Sequence, residues 1–175
     1  SSSPPAGSAP KVVTTSRDPV CGMAIEVARS SLFVTYRGMV YHFCSAQCLE
    51  RFNDIPALYT GSQRIADIQP IPKRRKLRLV DGSESNIQRA CLRVGEMMGI
   101  SKVIPAKGCL LVEYDLRQTI LSQIEAVATA EGVRFKGGFH GFRRRLWKLV
   151  EANELENAAH PGSGACCNRP PAKLR

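Results

Sequence analysis

Three cysteines, Cys21, Cys44 and Cys48, fall within the stretch "DPVCGMAIEVARSSLFVTYRGMVYHFCSAQCLERFNDIPALY", and no other feature limits the fold so tightly. A unit of about 40 residues is too small to build a good core unaided. Leu32 to Tyr36 is rich in β-formers, and Met39 to Phe43 alternates around a turn at Arg37-Gly38, which predicts a hairpin. Ser45 is placed to N-cap a helix over "SAQCLERFN". Cys44 and Cys48 then flank a strand-to-helix junction, and both sulfurs can face one point. Cys21, in its "DPVCG" turn, can fold back to meet them. His42 lies two residues before Cys44, on the same strand face. Three thiolates and an imidazole form a ligand set for a tetrahedral d¹⁰ ion, and soft thiolates select Zn²⁺ or Cu(I) over hard cations. The competing reading makes Cys44 and Cys48 small core residues and His42 an ordinary strand histidine. Metal binding is the expectation.

The rest of the composition bounds what surrounds this unit. The chain has 175 residues, 43% of them hydrophobic, which argues against wholesale disorder. Seven cysteines are an odd set, so at least one thiol is left over from any pairing within the chain. No apolar run approaches the roughly 18 residues of a spanning helix. The chain starts at Ser1 without a signal pattern, so a processed, tagged or excised cytoplasmic protein is expected. Net charge is +10, and it is uneven: residues 1–72 carry six bases and five acids (+1), and residues 73–175 carry 19 and 10 (+9). The second half is the part expected to meet an acidic partner.

The predicted organisation is a disordered leader (1–16), the cysteine module (17–61), a linker (62–75), a second patterned unit (76–139), a basic amphipathic helix (140–159) and a flexible tail (160–175). In the second unit Lys76 to Val80 alternates as a strand. "SESNIQRACLRVGEMMG" has helical spacing and ends at Gly99. Two strands follow around Lys107-Gly108, then a helix over Arg117 to Glu131 and a last strand at Val133 to Lys136. The fold class is α+β, with the second unit a βαββαβ sandwich. Cys91 and Cys109 read as packing thiols, and Met97 and Met98 as core or interface fillers.

Two resemblances carry these patterns further. Asp18-Pro19-Val20-Cys21-Gly22-Met23, Tyr41-His42-Phe43-Cys44-Ser45, Cys48, Phe52, Pro56 and Tyr59 together resemble a YHS domain, one of the TRASH-type metal-binding modules found beside heavy-metal, especially copper, transport proteins. That resemblance implies a small zinc-ribbon-like fold with the three cysteines as ligands. The segment "GISKVIPAKGCLLVEYDLRQTILSQIEAVATAEGVRF", with Val112, Tyr114 and Asp115, is similar to the second half of a heavy-metal-associated (HMA) domain. It implies a ferredoxin-like fold, but Ser83-Glu84-Ser85-Asn86 stands where that family carries Cys-x-x-Cys, so metal binding does not carry over.

In the last part of the chain, Arg143, Arg144, Arg145 and Lys148 crowd the start of the third helix, against the helix dipole, and are candidate partner-binding residues. Cys166, Cys167 and His160 form a candidate second metal site. No nucleophile–base pair is recognisable, so the chain is expected not to be an enzyme. The leading expectation is a protein that binds and transfers or senses a soft metal, most of all copper, Cu(I) or Zn(II) being the ion. It would work with a heavy-metal transporter or another HMA-type domain, or form the soluble part of such a transporter at the inner face of the membrane. The alternative is a zinc-stabilised regulator that binds nucleic acid or an acidic protein through its basic second half.

Overall fold

The computed structural model describes residues 13–60, 69–80 and 83–160. Cys166 and Cys167 lie outside the described residues, as does most of the expected leader and tail. Among the described residues the chain is mixed α/β with three small antiparallel sheets.

The first unit opens with a strand pair the sequence pattern did not reveal, β1 (Thr15–Arg17) against β2 (Ala24–Glu26). Thr15 and Ser16 therefore belong to a sheet and not to a leader. A single 3-10 turn, Val27–Arg29, leads to the expected hairpin, β3 (Phe33–Tyr36) paired with β4 (Met39–His42). Its two turn residues, Arg37 and Gly38, both have positive φ, 51° and 80°, which matches the twist of a two-residue hairpin. Helix α1 (Ala46–Asp54) follows, and the Ser45 hydroxyl accepts from the Cys48 N–H at 3.3 Å as its N-cap. A short helix, α2 (Pro56–Tyr59), begins on a proline at its first position.

The second unit is built on β5 (Pro72–Arg78), β6 (Ile100–Ala106) and β7 (Cys109–Asp115) in the order β5-β7-β6. Helix α3 (Glu84–Gly95) connects β5 to β6, and α4 (Leu121–Ala130) follows β7. Helix α5 (Gly138–Ala159) ends the described chain. Four boundaries differ from expectation. Strand β5 starts at Pro72, so Lys73, Arg74 and Arg75 pair with Tyr114, Glu113 and Val112 and are no linker. Helix α3 stops at Gly95, and Gly99 instead turns the chain into β6 (φ 81°). Arg117 to Ile120 stay outside α4, because the Asp115 backbone and side-chain oxygens capture the N–H groups of Arg117, Gln118 and Thr119 in a turn. The expected last strand is reduced to one bridge, Leu79 with Phe135, flanked by hydrogen bonds Val80 N–H to Arg134 O and Lys136 N–H to Arg78 O. The ladder ends there because Gly137 and Gly138 start α5 at once.

Two apolar clusters result. The first holds Val20, Phe43, Cys48 and Phe52. Phe52 is its centre, with ring centroids of Tyr41, Phe43, Tyr36 and Tyr59 at 4.9, 5.2, 5.9 and 6.1 Å. The second is much larger and joins Leu77, Leu110 and Val112 of the sheet to Ala90, Val94, Leu121, Ile124 and Leu155 of the helices. Cys91 packs against this cluster at its margin, and Cys109 is buried, as the packing reading expects.

The units are not independent beads. Leu58 of α2 is buried in the second cluster, while Met98 packs on the first. Gln47 bridges them: its amide donates to Met98 O (2.9 Å) and Gln118 O (3.2 Å), and its oxygen accepts from Met98 N–H (3.1 Å). The Tyr59 hydroxyl donates to Arg117 O.

Candidate metal centre

The site begins with the turn Asp18 to Met23. Asp18 N–H donates to Met23 O and Gly22 N–H to Asp18 O, with Gly22 at φ 77°, where a side chain would strain the loop. The Asp18 carboxylate is fully buried and satisfied by backbone. Its Oδ1 accepts from Val20 N–H (2.8 Å) and Cys21 N–H (3.3 Å), and its Oδ2 from Cys44 N–H (2.8 Å). One side chain thus ties the Cys21 turn to the β4–α1 junction. Helix α1 then carries Cys48 one turn beyond Cys44, on the same side.

The result is convergence. Cys21 Sγ lies 3.5 Å from Cys44 Sγ, and Cys44 Sγ lies 3.7 Å from Cys48 Sγ. The ligand atoms of Asp18, Cys21, Cys44 and Cys48 all fall within 4.8 Å of one another. Cys48 is buried, whereas Cys21 and Cys44 are half-buried, and a cavity of about 310 Å³ beside the 3-10 turn reaches Cys44.

Electrostatics here oppose free thiolates. Burial, then the neighbouring Cys44 thiol and the Asp18 carboxylate, push the Cys21 thiol up to about 11 despite a hydrogen bond from the Met23 backbone. Burial pushes Cys48 further in the same direction, against the Ser45 hydroxyl, which lowers it. Several acidic groups packed this closely cannot all ionise without a cation, and a bound cation inverts that balance by deprotonating its thiols. The donor set is sulfur-rich and suits a soft ion.

His42 is not part of the cluster. It stands on β4 opposite Phe33, with ring centroids 6.0 Å apart, and Asp18 occupies the fourth place. Its Nδ1 is buried without a hydrogen-bond partner among the described residues. Alternation along β4 did not survive to Cys44, because the chain leaves the strand at Phe43 to enter α1. Sequence reasoning also missed Asp18 as an organiser. Its signal was present in "DPVCG", since an Asp before a turn commonly accepts from backbone N–H groups two or three residues on.

The other expected sites come out differently. His160 caps the end of α5 and pairs with Glu156 at 3.4 Å. With Cys166 and Cys167 outside the described residues, their grouping is not placed. The four bases of α5 split: Arg144 (2.6 Å) and Lys148 both reach Glu125 of α4, whereas Arg143 lies over Trp147 at 5.0 Å and Arg145 is exposed. Ser83 serves as the N-cap of α3, accepting from Asn86 N–H at 3.3 Å, so the Ser83 to Asn86 stretch is used for capping.

No curated protein and no solved structure matches the chain. The HMA-type resemblance of the second unit has no family match behind it. Residues 16–63 match the YHS domain family, and that match, together with the Cys/Asp cluster it encloses, points to metal binding by the first unit.

Proposed function

We propose that Cys21, Cys44 and Cys48 hold one soft d¹⁰ ion, and that the protein is a non-enzymatic carrier or sensor of that ion in the cytoplasm, alone or as the soluble part of a heavy-metal transporter. The observation that carries the reading is the convergence of three sulfurs at 3.5 and 3.7 Å on a backbone frame held by Asp18. At Zn–S or similar bonds of about 2.3 Å, a tetrahedral edge between sulfurs is about 3.8 Å, so the thiols need little movement to share one ion. Copper(I) is the first choice. Both Asp18 oxygens already accept backbone N–H groups, which leaves three sulfurs as the effective soft set. Half-buried Cys21 and Cys44 beside an open cavity also suit an ion that must leave by ligand exchange. Zn²⁺, with Asp18 as fourth ligand, is the second choice.

The partner in this reading is an HMA-type domain or a heavy-metal transporter. Support comes from the second unit, where the order β5-β7-β6 and the Leu79–Phe135 bridge beyond β5 are compatible with the ferredoxin-like arrangement that the HMA resemblance implies. The zinc-stabilised regulator draws less support, because Lys73, Arg74, Arg75, Arg144 and Lys148 are each ion-paired within the chain.

Anaerobic native mass spectrometry with Cu(I) and with Zn²⁺ tests the proposal. One bound ion is expected in the wild type and none in Cys21→Ser or Cys44→Ser. Retention of the ion by both variants overturns the site.

A further inference from the structure

Helix α5 faces the protein on one side only. Glu151 and Leu155 are buried, and Arg144 and Lys148 reach inward to Glu125. On the opposite face Phe139, Phe142, Leu146, Leu149 and Val150 are all exposed, Phe139 at 82% and Phe142 at 64%. At 3.6 residues per turn these five positions fall in one stripe roughly 100° wide. Two turns later the same face presents exposed Asn153 and Asn157, so the apolar stripe is confined to the first half of the helix.

Charge follows the same boundary. Residues 133–150 contain Arg134, Lys136, Arg143, Arg144, Arg145 and Lys148 and no acid, and the acids of α5 begin at Glu151. Arg143 borders the stripe on one side and Arg145 on the other, from their positions on the helix. Arg78, Arg134 and Lys136 are exposed beside the helix start. Lys136 N–H bonds to Arg78 O, and Arg78 N–H donates to His140 Nε2 at 3.0 Å, which fixes β5 against the first turn of α5.

A crest of large apolar side chains with cations on both flanks needs a partner that is anionic outside and apolar beneath. The cations come from three separate segments around the start of helix α5. They do not form the single row that would face the fixed carboxylates of a partner helix, whereas mobile lipid headgroups meet cations wherever they lie. We propose that the first three turns of α5 bind an anionic membrane surface, with Phe139 and Phe142 entering the headgroup–acyl boundary and Arg143 and Arg145 against lipid phosphates. The helix would lie in the plane of the surface; among the described residues no helix is long and apolar enough to cross a membrane. This inference does not depend on the metal centre.

Co-sedimentation of the full chain with phosphatidylcholine vesicles, with and without phosphatidylserine, tests it. Retention is expected on the mixed vesicles, falling steeply with salt, and close to none on phosphatidylcholine alone. Removing both flanking charges in Arg143→Gln/Arg145→Gln is expected to weaken partitioning about 25-fold, at about fivefold per charge. Phe139→Ser/Phe142→Ser is expected to weaken it at least about tenfold. Both phenylalanines are exposed, so near-UV circular dichroism should show an unchanged core. Equal retention on neutral vesicles, retention indifferent to the two phenylalanines, or no retention of the folded wild type each overturns the proposal. The last result does so even where an acidic peptide binds, which would assign the face to a protein partner.

Discussion

The two units solve the same problem with different means. The second buries thirteen of its own residues and Leu58 of α2 in one cluster, with Leu77, Leu110, Val112, Leu121 and Ile124 fully enclosed. Among the described residues the first unit's own cluster buries only Val20, Phe43, Cys48 and Phe52, and one of these four is a thiol of the Cys/Asp cluster. Apolar burial contributes about 25 cal/mol per Å², so the first unit is left with a small share of that driving force. What replaces it is cross-linking: Asp18 ties a turn to a helix start through three N–H groups, and three sulfurs converge where an ion would join the same segments. A small module that depends on one node can respond to that node, whereas a self-sufficient core cannot.

Chelation gives the largest expected break in the comparison. An ion held by the folded unit and not by the unfolded one adds its binding free energy to the stability of that unit. Stripping the metal, or Cys48→Ser, is therefore expected to loosen the first unit without unfolding it and to leave the second unchanged. In hydrogen exchange, amides of β3, β4 and α1 should lose protection while those of β5 and β7 keep it. Equal loss in both units would dissolve the distinction.

A paired substitution sharpens it. Phe52→Ala and Leu110→Ala each delete a fully buried side chain and should cost about 3–5 and about 2–5 kcal/mol respectively. Urea unfolding checks the cost, and competition with a metal chelator checks the location. Only Phe52→Ala should weaken metal binding, because Phe52 and Cys48 pack in the same cluster on α1.

A smaller effect is expected at the seam. Gln47→Ala leaves Met98 N–H and two carbonyls without their bonds and should cost about 1–3 kcal/mol. If the units are linked through this residue, the variant should also separate their unfolding into two transitions by calorimetry.

The smallest effect concerns pH and belongs to the second unit alone. Burial, then the nearby Arg144, Arg78 and Arg143, hold the His140 pKa below its ordinary value. A lowered folded value means that the neutral ring is preferred in the native state. Its contribution is present above about pH 6.5 and lost as pH falls through the folded value. The Nε2 that accepts from Arg78 N–H is the atom a proton would occupy. His140→Gln should therefore flatten the acid limb of second-unit stability in thermal melts between pH 7 and pH 5, while metal binding at pH 7 stays unchanged.

Much of this was legible in the residues. The β3–β4 hairpin, the Ser45 cap and the order of elements from β5 to α4 all follow from local signals: alternation, a turn pair, a capping side chain. The three thiols were legible because their types and spacing suit one chemistry. Other features were set by contacts far apart in sequence, which no local pattern encodes. The β1–β2 pair consists of strands of three residues, too short for a periodic signal. The bases of α5 looked like one cluster, yet Glu125, nineteen residues before Arg144, takes two of them inward.

Residue chemistry alone determined that a sulfur-rich candidate metal site belongs to the first unit, because sulfur type and the shortage of core are properties of the chain itself. Only the tertiary structure decided that Asp18 and not His42 completes the cluster, that α2 gives Leu58 to the other core, and that α5 turns its apolar stripe outward. Each of these depends on which face a segment presents after distant segments have packed, and packing is settled by the sum of contacts, not by any one of them.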